Sequence, residues 1–345
     1  MPFPTITRIS DVVSARKRRS TILSRKAFKY DTPRLEGTRK VRIDIKKSGR
    51  KRAPLVTPLT GNPIIDRTNV DRIEIELPVL GGATETTAEE LFKAYAGKAE
   101  VTTSEYIDVY NRILDDSAEI DDAITRTEEY MAAEALKTGG YTLEGLDGSG
   151  GTIEVAFDFL RDPELTVVLS GTSRWGQSGV SAYKSLSAHR SLVQTKGGLN
   201  PNHFFMGETA MELFLLDDDV QKLLDNRGMN MGQLMPDELD GDVTYMGFVR
   251  TIGHIYKYTA GYADDDGFHK YIPDNGVAMF SDAADNRTYY GGIAVNVNDT
   301  IIIQRGRRVV YHNVTKRPPI TEFLDVNSSP LLVLGEPDTT GYMEV

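Results

Sequence analysis

One stretch, Thr103 to Lys137, constrains this chain more than any other. Thr103 or Ser104 supplies a helix cap at one end, and Gly139-Gly140 supplies a stop at the other. Between them Tyr106, Tyr110, Ile113, Ser117, Ile120, Ile124, Thr127, Met131 and Ala135 recur at steps of four and three, the period of one helical face. The opposite side carries Asp108, Asp115, Asp122 and Glu129, flanked by Asp116 and Glu119, which reads as a solvated face. At 1.5 Å per residue such a helix spans roughly 50 Å, about three times the ordinary length. A rod of that length, apolar along one side, predicts a structural spine.

What precedes the spine is basic and extended. Residues 1–52 hold 17 Lys/Arg against 4 Asp/Glu, leaving 23 basic against 46 acidic residues in the remainder of a chain whose net charge is -10. Residues 1–35 read as an extended arm with scattered apolar anchors. Val41, Ile43 and Ile45 then alternate with Arg42, Asp44 and Lys46, and Ile73, Ile75 and Leu77 alternate with Arg72, Glu74 and Glu76. This period of two predicts two half-buried strands. Between them lie Ser48-Gly49-Arg50-Lys51-Arg52 and a Pro/Gly-rich middle, so residues 36–80 are expected to form a long two-stranded excursion. A lone ribbon of that kind is marginal in water and needs something to lie against.

Beyond the spine the pattern mixes elements. A capping box at Thr87 and Glu90 predicts a short helix before the spine. Tyr141–Leu146 and Gly151–Phe159 read as a hairpin, Ser181–Gln194, Glu208–Leu216 and Val220–Asn226 as helices, and Val243–Tyr311 as short strands. Pro330–Gly335 reads as a buried strand. The class is α+β.

The search for chemistry excludes more than it finds. With no cysteine there is no disulfide, thiolate metal site or cysteine nucleophile. No phosphate-binding G-x-x-x-x-G-K-[ST] loop and no G-x-S-x-G elbow occurs. The five histidines, His189, His203, His254, His269 and His312, lack metal-ligand spacing. The acids at 217–219 and 264–266 read as a helix start and a turn. No catalytic residue, cofactor site or metal site is expected, and the chain is not expected to be an enzyme. No apolar run approaches the ~18 residues that span a bilayer, and the N-terminus lacks the apolar core of a secretion signal. A soluble protein made in a reducing cytoplasm is the expectation.

The order of basic arm, two-stranded excursion, spine helix and α+β body resembles the tailed-phage major capsid proteins, specifically the phage lambda coat protein family (major capsid protein E). The similarity is carried by Asp266-Gly267-Phe268-His269-Lys270-Tyr271-Ile272-Pro273-Asp274-Asn275, Arg287-Thr288-Tyr289-Tyr290-Gly291, Ser329-Pro330-Leu331-Leu332-Val333-Leu334 and Glu134-Ala135-Leu136-Lys137. The resemblance implies the Hong Kong 97-type capsid fold. Its parts would be an N-terminal arm (1–35), an extended loop (36–82), a peripheral domain (83–165) with the spine helix 103–138, an axial domain (166–283), return strands of the peripheral domain (284–316), and a C-terminal axial strand (317–345). It further implies hexamers and pentamers in an icosahedral shell around double-stranded DNA contacted without sequence specificity, scaffolding, portal and decoration proteins as partners, and no membrane. In that setting the excursion would find its support on a neighbouring subunit. Arg42, Lys46, Arg50, Lys51, Arg52, Glu74, Glu76, Glu119, Asp122 and Glu129 are the expected inter-subunit contacts, with Gly139 and Gly140 as the helix stop. The alternative is a nucleic-acid-binding protein using residues 8–52 as a polycationic arm.

Overall fold

A computed structural model gives the fold, and it describes residues 22–47, 70–87, 103–146, 151–224, 232–240, 242–264, 266–297, 300–314 and 321–345. One very long helix and several shorter ones set the frame: α1 (Ile22–Ala27), the spine α2 (Thr103–Thr138) and α3 (Ala182–Gly197), followed by α4 (Glu208–Leu216) and α5 (Asp218–Leu224). The spine ends as its sequence predicts. Gly139 adopts φ +88°, its N–H closes on the Ala135 carbonyl at 3.0 Å, and a Cβ there would lie 2.6 Å from that of Arg161. Only glycine enters this left-handed turn without penalty. Arg161 then caps the open end, donating to the Leu136 and Lys137 carbonyls at 2.6 and 2.5 Å.

The larger sheet has seven strands in the order Thr166–Val168, Gly341–Glu344, Gly276–Phe280, His203–Met206, Gly253–Tyr258, Val243–Val249 and Gly232–Asp240. Its central strand, His203–Met206, is buried throughout because both faces are covered. Phe204 and Met206 point to a core with Leu186, Val193, Met211 and Phe214 of α3 and α4, while Phe205 points the other way. That second face joins Phe280, Tyr256, Tyr258 and Tyr342 to Met131, Ala132, Ala135 and Leu136 of the spine. The period of two thus divides one sheet between two cores.

Against the middle of the spine lies a three-stranded antiparallel sheet, Val309–Val314, Thr321–Ser328 and Leu80–Thr87, which packs Val310, Leu324 and Val326 on Ile124. Among the described residues four two-stranded antiparallel ribbons extend the body: Lys40–Lys46 with Val70–Glu76, Gly140–Leu146 with Thr152–Asp158, Gly261–Asp264 with Gly267–Lys270, and Gly292–Val297 with Thr300–Arg305. Thr87 closes a strand here, and the helix expected after it falls outside the described residues. His254 lies in a strand. Asp264 closes a strand before the turn at Gly267, its carboxylate accepting the N–H groups of Asp266 and Gly267.

Two expectations need correction. The end of the basic arm does not run free: Leu23, Ser24, Ala27, Phe28 and Tyr30 are all at most 4% exposed. Its apolar spacing over one helical turn, combined with donors the spine can satisfy, overrides the repulsion among its cations. The described base of the 36–80 excursion also rests on its own subunit. Val41, Ile43, Ile45, Ile75 and Leu77 join the main core, and the Lys46 N–H bonds the Gly335 carbonyl at 2.9 Å. The Ser48–Arg52 turn lies outside the described residues.

Candidate assembly interface

The ribbon's polar face matches charge across its ladder. Lys40 lies opposite Glu76, Arg42 opposite Glu74, and Asp44 opposite Arg72. Arg42 Nε reaches Glu74 at 3.2 Å, Arg72 Nε reaches Asp44 at 2.8 Å, and Arg39 reaches Glu76 at 3.5 Å. The guanidinium of Arg72 holds the Asp44 carboxyl below its ordinary pKa, mainly through that hydrogen bond. Lys46 points to Asp285 of the body at 3.5 Å. Four expected inter-subunit residues, Arg42, Lys46, Glu74 and Glu76, thus have partners inside the subunit. All are exposed, so a neighbour can still share them, each such pair being worth about 0–1 kcal/mol. Arg50, Lys51 and Arg52 lie outside the described residues.

On the spine, Glu119 is exposed and Asp122 half-buried, so both are presented outward. Glu129 is not. It is fully buried, and its carboxylate accepts the Leu23 and Ser24 N–H groups at 2.8 and 3.0 Å and the Tyr258 hydroxyl at 2.8 Å. It cannot meet a neighbouring arm because its own arm already occupies it. The open N–H groups at the start of α1 need an acceptor, and an acid on the adjoining helix satisfies them. Burial pushes the Glu129 carboxyl up from its ordinary value, opposed by these donors.

From the neighbouring Glu128 a larger ionic cluster joins the spine to four distant segments, at Tyr30, Tyr290, Arg308 and Ser328. Arg308, just before the Val309–Val314 strand, donates to Glu128 at 2.7 and 3.1 Å, to Thr125 at 3.1 Å, to Ser328 at 3.0 Å, and to Asp121. Tyr30 of the arm donates to Glu128 Oε2 at 2.5 Å, and Tyr290 donates to Glu128 Oε1 at 3.0 Å. The Arg307 guanidinium stacks 3.6 Å over the Tyr30 ring. Burial alone would raise the Glu128 pKa, but the Arg308 charge and the hydrogen bonds of Arg308 and Tyr30 outweigh it and lower it. The spine's acids are therefore not one solvated face. Asp121, Glu128 and Glu129 are at most 2% exposed: Asp121 and Glu128 flank the apolar stripe beneath Arg308 and Tyr30, and Glu129, farther round the helix, lies under the start of α1. Sequence reasoning missed Asp121, Glu128, Arg308 and Tyr290. The available signal was the set Ser117, Asp121, Thr125 and Glu128, spaced four, four and three along one helical line.

This cluster is equipped to hold segments in place. Its carboxylates are bound to a fixed cation and hydroxyls, and among the described residues no group of three or more His, Asp or Glu could hold a metal ion. No described helix is long and apolar enough to cross a membrane. A spine crossed by a sheet, an arm clamped beneath it, an outreaching ribbon and a second sheet beyond define the Hong Kong 97-type capsid fold. Over 99% of this chain and 98% of the other, it superposes with TM-score 0.70 at 11% identity on a putative prophage capsid protein of Escherichia coli CFT073. A phage-related protein of Bordetella bronchiseptica RB50 superposes with TM-score 0.53 at 12% identity, over 98% and 96% of the two chains.

Sequence similarity narrows the class to a family. Residues 5–343 match the family described as phage major capsid protein E, and the chain belongs to it. The major capsid protein of Enterobacteria phage P21 is 26% identical over 237 residues, covering 68% of this chain and 67% of that one. That of Escherichia phage lambda is 26% identical over 218 residues, covering 63% and 62%. The chain is a structural coat protein of a phage capsid, not an enzyme.

Proposed function

We propose that copies of this chain, made in the bacterial host cytoplasm, form pentamers and hexamers that close an icosahedral shell around double-stranded DNA. The basic ribbon crosses an adjacent subunit and meets carboxylates such as Glu119 and Asp122 there. Scaffolding, portal and decoration proteins are its further partners, and DNA is contacted without sequence specificity.

The observation that carries this reading is the division of charge between a folded base and a projecting ribbon. The +13 segment does not form a loose polycation over its described length, because residues 22–47 are built into the subunit by buried groups. Its exposed cations are held on a paired strand at fixed spacing, which suits a fixed protein surface better than a diffuse phosphate backbone. Many weak pairs repeated round a shell set orientation and partner choice.

The test is charge reversal. Arg50, Lys51 and Arg52 are replaced by Glu, and assembly of empty shells is compared with DNA retention. Failure of empty shells to form supports the reading. Normal empty shells with impaired DNA retention would assign these cations to the genome instead.

A further inference from the structure

The sheet face that meets the spine carries a row of rings. Along the strand Gly253–Tyr258 the residues His254, Tyr256 and Tyr258 share one side, and the parallel neighbour sets His203 beside His254 and Phe205 beside Tyr256. Phe205 stacks on Tyr256 with centroids 4.5 Å apart, and His203 stacks on His254 at 5.2 Å with 19° between the planes. The row starts at Tyr258, whose hydroxyl bonds the Glu129 carboxylate beneath the start of α1, and it ends at the two histidines.

Each imidazole is engaged at one nitrogen. His254 Nδ1 lies 2.8 Å from the Tyr245 hydroxyl and His203 Nδ1 lies 3.3 Å from the Tyr256 hydroxyl. Two charged side chains bear on the pair from other elements. Asp282 accepts the Asn202 amide at 2.8 Å, returns its own N–H to Asn202 at 3.1 Å, and sets its second carboxylate oxygen 3.8 Å from His203 Nε2. Lys26, exposed on α1, acts on both rings. The neighbouring cations of the arm have other partners: Arg25 meets Asp31 at 3.4 Å, and Lys29 meets Asp285 at 3.5 Å.

With both rings neutral, Asp282 faces a single cation. A proton on either ring adds a second cation and competes for the same carboxylate, and a proton on each adds a third. Burial and His254 push the His203 imidazole down to about 4, with Lys26 adding to them against Asp282; burial and then Lys26 lower His254. Such coupling is reciprocal. A helix whose charge makes the proton costly is itself displaced when the proton binds.

We propose that the stacked His203–His254 pair is a proton-sensitive seat for the arm, and that protonating it releases the Lys26 end of α1 from the sheet. The other groups near it do not produce this effect. Burial holds the Tyr245 and Tyr256 phenols above their ordinary range, so both stay neutral. Glu129, at the opposite end of α1, has the opposite sign, because its raised pKa makes acid favour the clamped state. The device operates in the free subunit and does not rest on the shell-forming reading.

Amide exchange of the free subunit tests it, read as protection relative to the intrinsic rate at each pH. The Phe28 amide, bonded to the Ser24 carbonyl at 2.9 Å, reports the end of α1 nearest Lys26. Each unit by which release of the arm raises the pKa of the pair multiplies opening about tenfold. Between pH 7.5 and pH 5.0, Phe28 protection in the wild-type chain should therefore fall about tenfold further than in Lys26→Met, and about tenfold further than in His203→Gln with His254→Gln.

The difference between variants is the readout, since loss of global stability in acid lowers protection in all of them. An equal fall in the wild type and in Lys26→Met would overturn the proposal, because the arm would then open with the whole subunit. So would wild-type protection that is the same at both pH values. Should the histidine variant fail to fold, Lys26→Met decides alone, since Lys26 is exposed and outside the core.

Discussion

The subunit is built around two kinds of interior. Beside α3 and α4 the core is apolar: Leu165, Leu186, Val193, Phe204, Met206, Phe214, Ile255 and Met279 are each at most 1% exposed. Beneath the arm, across the spine, the interior holds Asp121, Glu128, Glu129 and Arg308 at comparable burial. Apolar packing is tolerant of small rearrangement, whereas buried ions demand particular partners. The apolar core holds a sheet to its helices. The ionic seam fixes where α1, the spine and the Arg308 segment cross, and so aims the ribbon that leaves the same place. Polar interiors of this sort contribute little net stability yet penalise wrong arrangements heavily.

That contrast is tested first by Arg308→Met. It leaves Asp121 and Glu128 buried without their cation, and should cost about 3–5 kcal/mol in chemical denaturation of the free subunit. A loss below about 1 kcal/mol would mean that the seam is no more demanding than the surface.

The corner between the two interiors is Gly139. Gly139→Val forces a β-branched residue to positive φ against Arg161, an expected loss of roughly 3 kcal/mol. Thr138→Val keeps the backbone conformation and removes a hydroxyl that bonds the Glu134 carbonyl and the Gly140 carbonyl and N–H at the helix surface, and should cost about 1 kcal/mol. Equal losses in denaturation midpoint would place the end of the spine elsewhere.

Acid should act on the two interiors differently. His189 lies on α3 and His203 opens the central strand of the sheet; burial pushes both down to about 4, helped by the Arg161 charge at His189 and by His254 and Lys26 at His203. The fold therefore holds them neutral. Below about pH 6.5 the unfolded chain takes up protons that the fold refuses until about pH 4, so stability falls across that window, on the order of 2 kcal/mol per histidine. Glu129 has the opposite sign, since its raised pKa makes the fold lose stability as pH rises above the ordinary carboxylate value. Denaturation midpoints measured against pH for His189→Gln with His203→Gln should flatten the first dependence, and for Glu129→Gln the second. An unchanged acid slope in the histidine variant would contradict the assignment.

The smallest effect belongs to the ribbon's surface pairs. Arg42→Ala or Glu74→Ala should cost no more than about 1 kcal/mol in the free subunit, while lowering shell yield if a neighbour shares these charges. A large loss of subunit stability would show them to be structural.

Much of this was legible in the sequence. The spine's period and its glycine stop predicted a helix that ends at Thr138, and alternation around Val41, Ile43 and Ile45 predicted the ribbon's base. What composition concealed was the seam. An acid on a helix reads as solvated unless its partner is known, and Glu128 and Glu129 find theirs 98 and 106 positions upstream, at Tyr30 and Leu23. Repulsion among Arg16–Arg19, Arg25 and Lys26 likewise masked the apolar turn formed by Leu23, Ala27 and Phe28. Local charge announces itself along a chain, whereas the long-range partner that permits its burial does not.

Amide hydrogen exchange of the free subunit tests the central claim most directly, that the arm's end and the ribbon's base belong to the subunit before any neighbour arrives. The Leu23 and Ser24 amides, bonded to Glu129, and the Lys46 amide, bonded to Gly335, should be protected to a degree comparable with the spine. Exchange of these amides at the rate of an unstructured chain, with protection gained only on assembly, would contradict it.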